Sequence, residues 1–522
     1  MKQNHADLLR AVFLAAAAAS MSRPAMADPC ADLMKLKLAD TEITSASMAR
    51  LGDKPDQPGL SLPDTQTAPM SRGGAVDRNA SYCKVVGRIE GTVTFKVSLP
   101  QRDKWNGKFN GTGSGGASGY ISDGELNANL GAGYATAAND SGHVGKGPNP
   151  LLDISWSLDP VTRDYNMEAI KNFGYRSTHL MTVAAKAIIK AYYNRAPKQS
   201  YFTGCSTGGR MALSEAQRYP EDYDGIIAGA SANRYMNMWP TEFYPHTLVR
   251  DMDAKALIGK LDMIQKTVTA QCDALDGTVD GLIDNPRACH VDARSLQCPL
   301  GQDTPQCLTE EQAMVISLVY KGLRDPYTGE PIGPGYEPGS EAGWTTHLGP
   351  APLLVGFLKY MVFKNPDADI QKFNYGNFTD YMALSRARAF LHPFMDANNP
   401  DISAFTLRGG KLLMYHGWMD TNNAPSNSII YYDSVRQAIG SDANNSVRLF
   451  MVPGMRHCGN GPGFRQIDYL GTLDKWVESG VRPDQVLGTN PESGKARPIC
   501  AYPKVATRHG GKVDDPASFV CE

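Results

Sequence analysis

Three short stretches of the chain hold the residue types that acyl transfer needs. The first is Gly204-Cys205-Ser206-Thr207-Gly208-Gly209, a G-x-S-x-G pattern with a serine among small residues. A serine hydroxyl is a weak nucleophile unless a base takes its proton, and the small neighbours allow the sharp turn that exposes it. The second is Asp420, at the end of Met414-Tyr415-His416-Gly417-Trp418-Met419-Asp420. The third is His457, in Val452-Pro453-Gly454-Met455-Arg456-His457-Cys458-Gly459, on a loop bounded by glycines. An imidazole there can accept the serine proton, and a carboxylate can hold its tautomer and stabilise its charged form. Asp433 and Asp442 compete for the acid's role, but neither directly follows a strand. His416 is the alternative histidine, and its place at a strand end beside Asp420 reads as structural support. The order serine, aspartate, histidine excludes the trypsin-like and subtilisin-like arrangements.

Cysteines border two of these stations. Cys205 precedes Ser206 and Cys458 follows His457. A bond between them would close a loop of about 250 residues, worth roughly 5 kcal/mol at most by chain entropy. It would also hold nucleophile and base together. Two buried free thiols are the plainer alternative. The chain has ten cysteines, which allow about 945 pairings. Loop length favours Cys272–Cys289, Cys298–Cys307 and Cys500–Cys521, and leaves Cys30, Cys83, Cys205 and Cys458. No C-x-x-C pair occurs, which argues against a cysteine zinc site.

The elements around the stations supply the context the serine requires. Gln199–Thr203 reads as a strand and Gly208–Arg218 as a helix, so Ser206 falls on a strand-to-helix turn. Met181–Tyr193 is a helix by its i, i+3, i+4 spacing, and Asp224–Ala230 is a buried strand. Val85–Leu99 alternates as one or two strands, and Gly111–Gly116 is a flexible glycine loop after another. Strand signals return at Gly410–His416 and Val447–Pro453, followed by a helix over Gln466–Trp476. Helix and strand in alternation predict an α/β fold with a parallel sheet. Between about Ser231 and Thr406 the alternation dissolves into aromatic-rich and Gly/Pro-rich blocks. The expected organisation is therefore a catalytic domain over 28–230 and 407–522, with an inserted lid domain over 231–406. Together with the residue order, this is the α/β-hydrolase pattern. The oxyanion of such a reaction would meet the backbone N–H of Thr207 and a second N–H from the glycine loop, at Gly115 or Gly116.

The 522 residues carry 52 Lys+Arg against 54 Asp+Glu, so no basic surplus exists for nucleic acid or an anionic membrane surface. No apolar run reaches the roughly 18 residues that span a bilayer. Residues 1–27 read as a signal peptide: Lys2 and Arg10, then a short apolar core, then Ala25-Met26-Ala27 as the cleavage site. Export agrees with an even number of cysteines. The expected location is secreted or periplasmic.

The segments GCSTGGR at Gly204–Arg210, the Asp420 stretch and GMRHCGNGPG at Gly454–Gly463 resemble the tannase/feruloyl esterase family over essentially the whole mature chain. That family includes feruloyl esterases, tannases and mono(2-hydroxyethyl) terephthalate hydrolase. The resemblance implies five disulfides: Cys30–Cys83, Cys205–Cys458, Cys272–Cys289, Cys298–Cys307 and Cys500–Cys521. It implies a serine esterase acting through an acyl-enzyme on esters of aromatic acids, of hydroxycinnamoyl (feruloyl) type. Galloyl esters and a terephthalate monoester are the alternatives. A secreted calcium-stabilised binding protein with a dead hydrolase site is the non-enzymatic one. The family often has proline after the aspartate, whereas Asp420 is followed by Thr421-Asn422-Asn423, which touches substrate preference.

In the insert, Cys272-Asp273-Ala274-Leu275-Asp276-Gly277-Thr278-Val279-Asp280-Gly281-Leu282 gathers three carboxylates and two turn glycines. Hard oxygen ligands suit Ca²⁺, although the spacing is not that of an EF-hand. The resemblance implies structural calcium held by Asp273, Asp276 and Asp280 and by the carbonyls of Thr278 and Leu282, away from the triad stations. Tyr235, Trp239, Phe378 and Tyr381 are candidates to stack on a flat acyl group. Arg386 and Arg388 could pair with a substrate carboxylate or face water, the plainer reading. The expected partner is a small aromatic ester, with no nucleic acid, membrane or obligate protein partner.

Overall fold

The apolar runs assemble into one mixed sheet. The structure is a computed structural model that describes residues 29–54, 77 and 79–522; the signal peptide expected at 1–27 lies outside them. Nine strands form the sheet: β1 (Thr41–Arg50), β2 (Ser81–Ile89), β3 (Val93–Pro100), β4 (Lys108–Thr112), β5 (Ala135–Asn139), β6 (Gln199–Cys205), β7 (Gly225–Gly229), β8 (Lys411–Gly417) and β9 (Val447–Val452). Their order is β1-β2-β3-β5-β4-β6-β7-β8-β9. The edge from β1 through β3 to β5 is antiparallel, and everything from β5 to β9 is parallel.

The parallel strands are covered on both faces, which is why they read as continuous apolar runs. In β8, Leu412 and Met414 enter the core on one face, while Leu413 and Tyr415 enter the core on the other. The first face is covered by α1 (Ser177–Tyr193) through Met181, Ala185 and Ile188, and by α2 (Thr207–Arg218) through Met211 and Ala212. Spacing of three and four residues puts the apolar groups of α1 on one stripe, and Asn194, with φ 59°, ends the helix in a left-handed turn.

β7 and β8 are neighbours in the sheet, yet the whole insert separates them in sequence. It is largely helical: α3 (Tyr235–Asp251), α4 (Leu261–Cys272), α5 (Glu310–Lys321) and α6 (Phe378–Met395). α3 is buried on nearly every side and contains Pro240 and Pro245. A helix apolar all round shows no stripe, so periodicity could not reveal it. α3 and α6 pack, through Tyr235, Trp239, Leu384 and Leu391, onto Ile154, Trp156 and Phe173 of the segment before α1. After β8 come α7 (Ser426–Ile439) and α8 (Tyr469–Ser479); α8 fills the second face with Leu470, Leu473 and Trp476. A hairpin of β10 (Gln485–Thr489) and β11 (Ala496–Cys500) follows.

Five disulfides are present, with the pairing the resemblance implied: Cys30–Cys83, Cys205–Cys458, Cys272–Cys289, Cys298–Cys307 and Cys500–Cys521. Among the described residues no cysteine is free and no helix is long and apolar enough to cross a membrane.

Candidate active site

β6 ends at Cys205 and α2 starts at Thr207, so Ser206 stands alone on the turn, with φ 61° and ψ −123°. A non-glycine residue there costs on the order of 1–3 kcal/mol and persists only if its surroundings enforce it. They do: the Ser206 N–H donates to the Gly229 carbonyl at 3.0 Å, and the Ser206 carbonyl accepts from Ala232 at 3.0 Å. The flanking glycines are needed for clearance. A Cβ on Gly204 would lie 2.2 Å from the Gly208 carbonyl oxygen, and one on Gly208 would lie 2.9 Å from the Gly113 backbone.

The glycine loop expected to be flexible is pinned instead. Thr207 Oγ1 donates to the Gly116 carbonyl at 2.6 Å, and the Ser118 N–H donates to the Gly115 carbonyl at 3.1 Å. Gly116 has φ 57°, and a Cβ there would meet the Leu151 carbonyl at 2.5 Å. Gly115 and Gly116 are thus held against the first turn of α2, where Thr207, as the first helical residue, has an N–H with no partner inside the helix.

Asp420 is fully buried in the turn that leaves β8. Its Oδ1 accepts from the N–H groups of Asn422 (2.9 Å) and Asn423 (3.1 Å). Its Oδ2 receives His457 Nδ1 at 2.7 Å and His416 Nε2 at 2.9 Å. Burial alone would raise this carboxyl, but the His457 and His416 imidazoles, both hydrogen-bonded to it, outweigh burial and hold it far below the usual carboxylate range. The tautomers follow. His457 carries its proton on Nδ1, which leaves Nε2 as a base. His416 Nε2 faces two acceptors, Asp420 Oδ2 and the Asn423 carbonyl at 3.0 Å, so it is the protonated nitrogen, and Nδ1 accepts from Ser428 Oγ at 2.7 Å. His416 is therefore the support expected of it. Asp433 and Asp442 are exposed.

The histidine loop is strapped to the acid loop. The Met419 N–H donates to the Met455 carbonyl at 2.9 Å, and a Cβ on Gly417 would lie 2.2 Å from that oxygen. On the serine side, Cys205 and Cys458 are joined with their Cα atoms 5.8 Å apart. Cys458 itself has φ 59°. Ser206 and His457 are the immediate neighbours of the two bonded cysteines. Asn423 Nδ2 donates to the carbonyls of Ala230 (3.1 Å) and Ser231 (2.7 Å), which ties the acid loop to the chain beside the elbow.

Some residues here had no signal in the sequence. His347 Nε2 meets Asn422 Oδ1 at 3.1 Å, and burial lowers this histidine to about 4. Thr421 Oγ1 donates to the Gly343 carbonyl at 3.3 Å. The insert therefore rests on the Thr421-Asn422 pair that departs from the family pattern. Glu242 of α3 is buried, and burial pushes it well above the usual carboxylate range. Of the aromatic candidates, Tyr235 and Trp239 are buried and meet edge to face at 5.3 Å. Phe378 is exposed against Tyr327, and Tyr381 donates to Asp325 at 2.5 Å, so both serve an outer cluster of the insert. Arg386 is exposed, while Arg388 donates to Asn237 at 2.9 Å rather than facing water alone.

In the carboxylate loop, Asp273 accepts from the N–H groups of Asp280 (3.1 Å) and Gly281 (3.0 Å), and Asp276 accepts from Thr278 at 2.8 Å. Asp276 Oδ2 is buried with no hydrogen-bond partner, and burial raises Asp276 to about 6. Asp284 and Arg497 complete the cluster unannounced by the motif: Arg497 reaches Asp280 at 2.5 Å and Asp284 at 3.3 Å. The loop is also less remote than expected. Leu282 packs against Gly454, where an added Cβ would meet its side chain at 2.7 Å.

A buried Asp–His pair beside an elbow serine, at the carboxyl ends of β6, β8 and β9, defines a serine hydrolase on the α/β-hydrolase fold. Residues 76–522 match the family model described as tannase and feruloyl esterase, so the chain belongs to that family and is a carboxylic ester hydrolase. It is 32% identical to an uncharacterized esterase of Xanthomonas campestris pv. campestris, over 97% of this chain and 93% of that one. It is 31% identical to the mono(2-hydroxyethyl) terephthalate hydrolase of Piscinibacter sakaiensis, over 82% and 81%. The crystal structure of feruloyl esterase B from Aspergillus oryzae superposes with a TM-score of 0.80 at 25% identity, covering 95% of this chain and 99% of that one.

Proposed function

We propose that this enzyme is exported and hydrolyses esters of aromatic acids, of feruloyl type, through an acyl-enzyme on Ser206. The observation that carries the reading is the ionised Asp420 held on His457 Nδ1, in a loop bonded through Cys458 to the cysteine beside Ser206. His457 Nε2 takes the Ser206 proton as Oγ bonds to the ester carbonyl carbon. The oxyanion is met by the N–H of Thr207 and by that of Gly115 or Gly116. His457 then returns its proton to the leaving alcohol, and a water activated the same way releases the acid. Tyr235 and Trp239, in the first turns of α3, are the aromatic candidates left for a flat acyl group, since Phe378 and Tyr381 belong to the outer cluster of the insert. The names of the relatives support aromatic acids as the acyl class, and five disulfides support export.

The carboxylate loop fits calcium. Asp276 Oδ2 is a buried oxygen without a partner, and hard oxygens are the ligands this ion takes. Asp273, Asp276 and Asp280, with the carbonyls of Thr278 and Leu282, would hold it. The ion would supply positive charge to a buried acidic turn and take no part in ester cleavage.

Ser206→Ala tests the reading. Release of p-nitrophenol from a short ester should fall by at least about 10³-fold with an unchanged melting curve. More than a few per cent residual activity would count against Ser206. In a panel of methyl ferulate, chlorogenate, methyl gallate and the terephthalate monoester, the hydroxycinnamoyl esters should give the highest kcat/KM. A preference for gallate or for the monoester would move the assignment to that acyl class.

A further inference from the structure

A second group of metal-ligand side chains lies at the far end of the nucleophile helix. His179 of α1, Glu215 of α2 and Asp222 in the turn before β7 each offer one ligand atom, and these atoms all lie within 4.8 Å of one another. His179 Nδ1 is 2.6 Å from Asp222 Oδ2. The imidazole is stacked flat on Tyr219, with centroids 3.9 Å apart and planes within 6°, so its orientation is fixed. Glu215 is fully buried, and no N–H or hydroxyl donor reaches either of its carboxylate oxygens, whose polar neighbour is the Asp222 carboxyl. A buried carboxylate with two idle oxygens is costly unless something cationic or a proton meets it. Burial, with Asp222 beside it, pushes Glu215 well above the usual carboxylate range.

We propose that His179, Glu215 and Asp222 form a structural site for a divalent transition-metal ion, zinc by preference. One imidazole and two carboxylates make a donor set for zinc, with a fourth position for water. That position opens on the solvent side, because the His179 side chain is 30% exposed while Glu215 is closed in. Ligand atoms about 2.0–2.2 Å from one zinc ion stand roughly 3.4 Å apart, so the His179–Asp222 contact opens slightly and Glu215 swings inward. Lys186 is a cation beside the group, and its ammonium donates to the Asp222 backbone carbonyl. The rival account is that Lys186 and a proton shared between Glu215 and Asp222 satisfy the group without metal. The site is structural because Glu215 lies nine residues beyond Ser206, about 14 Å along the helix. Its effect would be to clamp α1, α2 and the entry to β7 behind the elbow.

The test uses the full mature chain in calcium-containing buffer. Wild type, His179→Gln and Glu215→Gln are each equilibrated with zinc chloride, desalted and measured for retained zinc. The pairs His392–Asp396 and His509–Glu522, whose histidines are exposed, set a background common to all three. Wild type should retain one more equivalent than either variant, and zinc should raise its melting temperature while leaving theirs unmoved, with kcat the same with and without zinc. Cobalt(II) in place of zinc should give wild type an intense visible band that both variants lack. Should Glu215→Gln fold poorly, His179→Gln, at a partly exposed position, decides by itself. Equal zinc retention in wild type and His179→Gln, or none in wild type, would overturn the proposal.

Discussion

Asp420 serves two imidazoles through one oxygen, and that sharing explains why the carboxylate stays ionised although no water reaches it. The two histidines are not equivalent. His416 is closed on both nitrogens by Ser428, Asn423 and Asp420, so only His457 keeps a nitrogen free for chemistry. His347 differs again: its Nε2–H donates to Asn422, its Nδ1 is buried without a partner, and its folded value is about 4. An unfolded histidine titrates near 6.5. Because the folded value is depressed, His347 contributes stability that is full above pH 6.5 and lost as pH falls towards 4, by about 3 kcal/mol at most. His347→Gln keeps a donor for Asn422 and removes the titration. Urea unfolding at pH 7 and pH 4.5 should show a smaller stability difference in the variant than in wild type; an equal difference would count against this role. The Asp420–His457 pair and the turn at Ser206 were legible because these residues sit in patterned neighbourhoods: small residues around Ser206, a strand end before Asp420, glycines around His457. His347 and Glu242 were not, because the insert has no period that shows which side chains face the sheet.

At the scale of elements, the strands were legible where both faces are covered, since burial on two sides writes an unbroken apolar run. Val85–Leu99 resolved into β2 and β3, turning through Glu90 and Gly91 at positive φ. The helix expected from Gln466 begins at Tyr469, capped by the Asp468 side chain, a signal available in the sequence. The bond that joins the loops from β6 and β9 was legible, because Cys205 and Cys458 border Ser206 and His457 in the sequence. What was not legible is the close approach of Gly417 to Met455, which straps the loop from β8 to the loop from β9. Replacing both cysteines with alanine should therefore damage catalysis more than folding. Four disulfides and the sheet remain, so stability should fall by only a few kcal/mol. A displacement of about 1 Å between Ser206 and His457 can cost about a hundredfold in rate. Stopped-flow kcat beside a urea melt measures both. Unchanged kcat with a large loss of stability would make the bond a fold staple and leave catalytic alignment to the Gly417–Met455 strap.

Across the whole molecule, the carboxylate loop is where three distant parts of the chain meet. It belongs to the insert, stapled by Cys272–Cys289. The C-terminal region grips it: Arg497 of β11 reaches Asp280 and Asp284, and Arg508 donates to the Gly277 carbonyl at 3.3 Å. The catalytic domain touches it through Leu282 and Gly454, three residues before His457. Four aspartates cluster around one buried arginine here, which reaches only Asp280 and Asp284, so the loop holds more carboxyl groups than one guanidinium can pair. A bound calcium ion would offset the excess and lock the three parts, and a ligand held only by the folded state adds RT ln(1 + [L]/Kd) to stability. Chelation with EDTA should thus lower the melting temperature, and added Ca²⁺ should restore it. Asp276→Asn, which removes one charge at the unpartnered oxygen, should melt low and respond little to EDTA. Activity at 25 °C should survive chelation better than the melting point, because His457 is held separately by the Cys205–Cys458 bond and the Met419–Met455 hydrogen bond. If EDTA left the melting curve of metal-free protein where calcium-loaded protein has it, the loop would be a charge cluster balanced by Arg497 alone, and the calcium reading would fall.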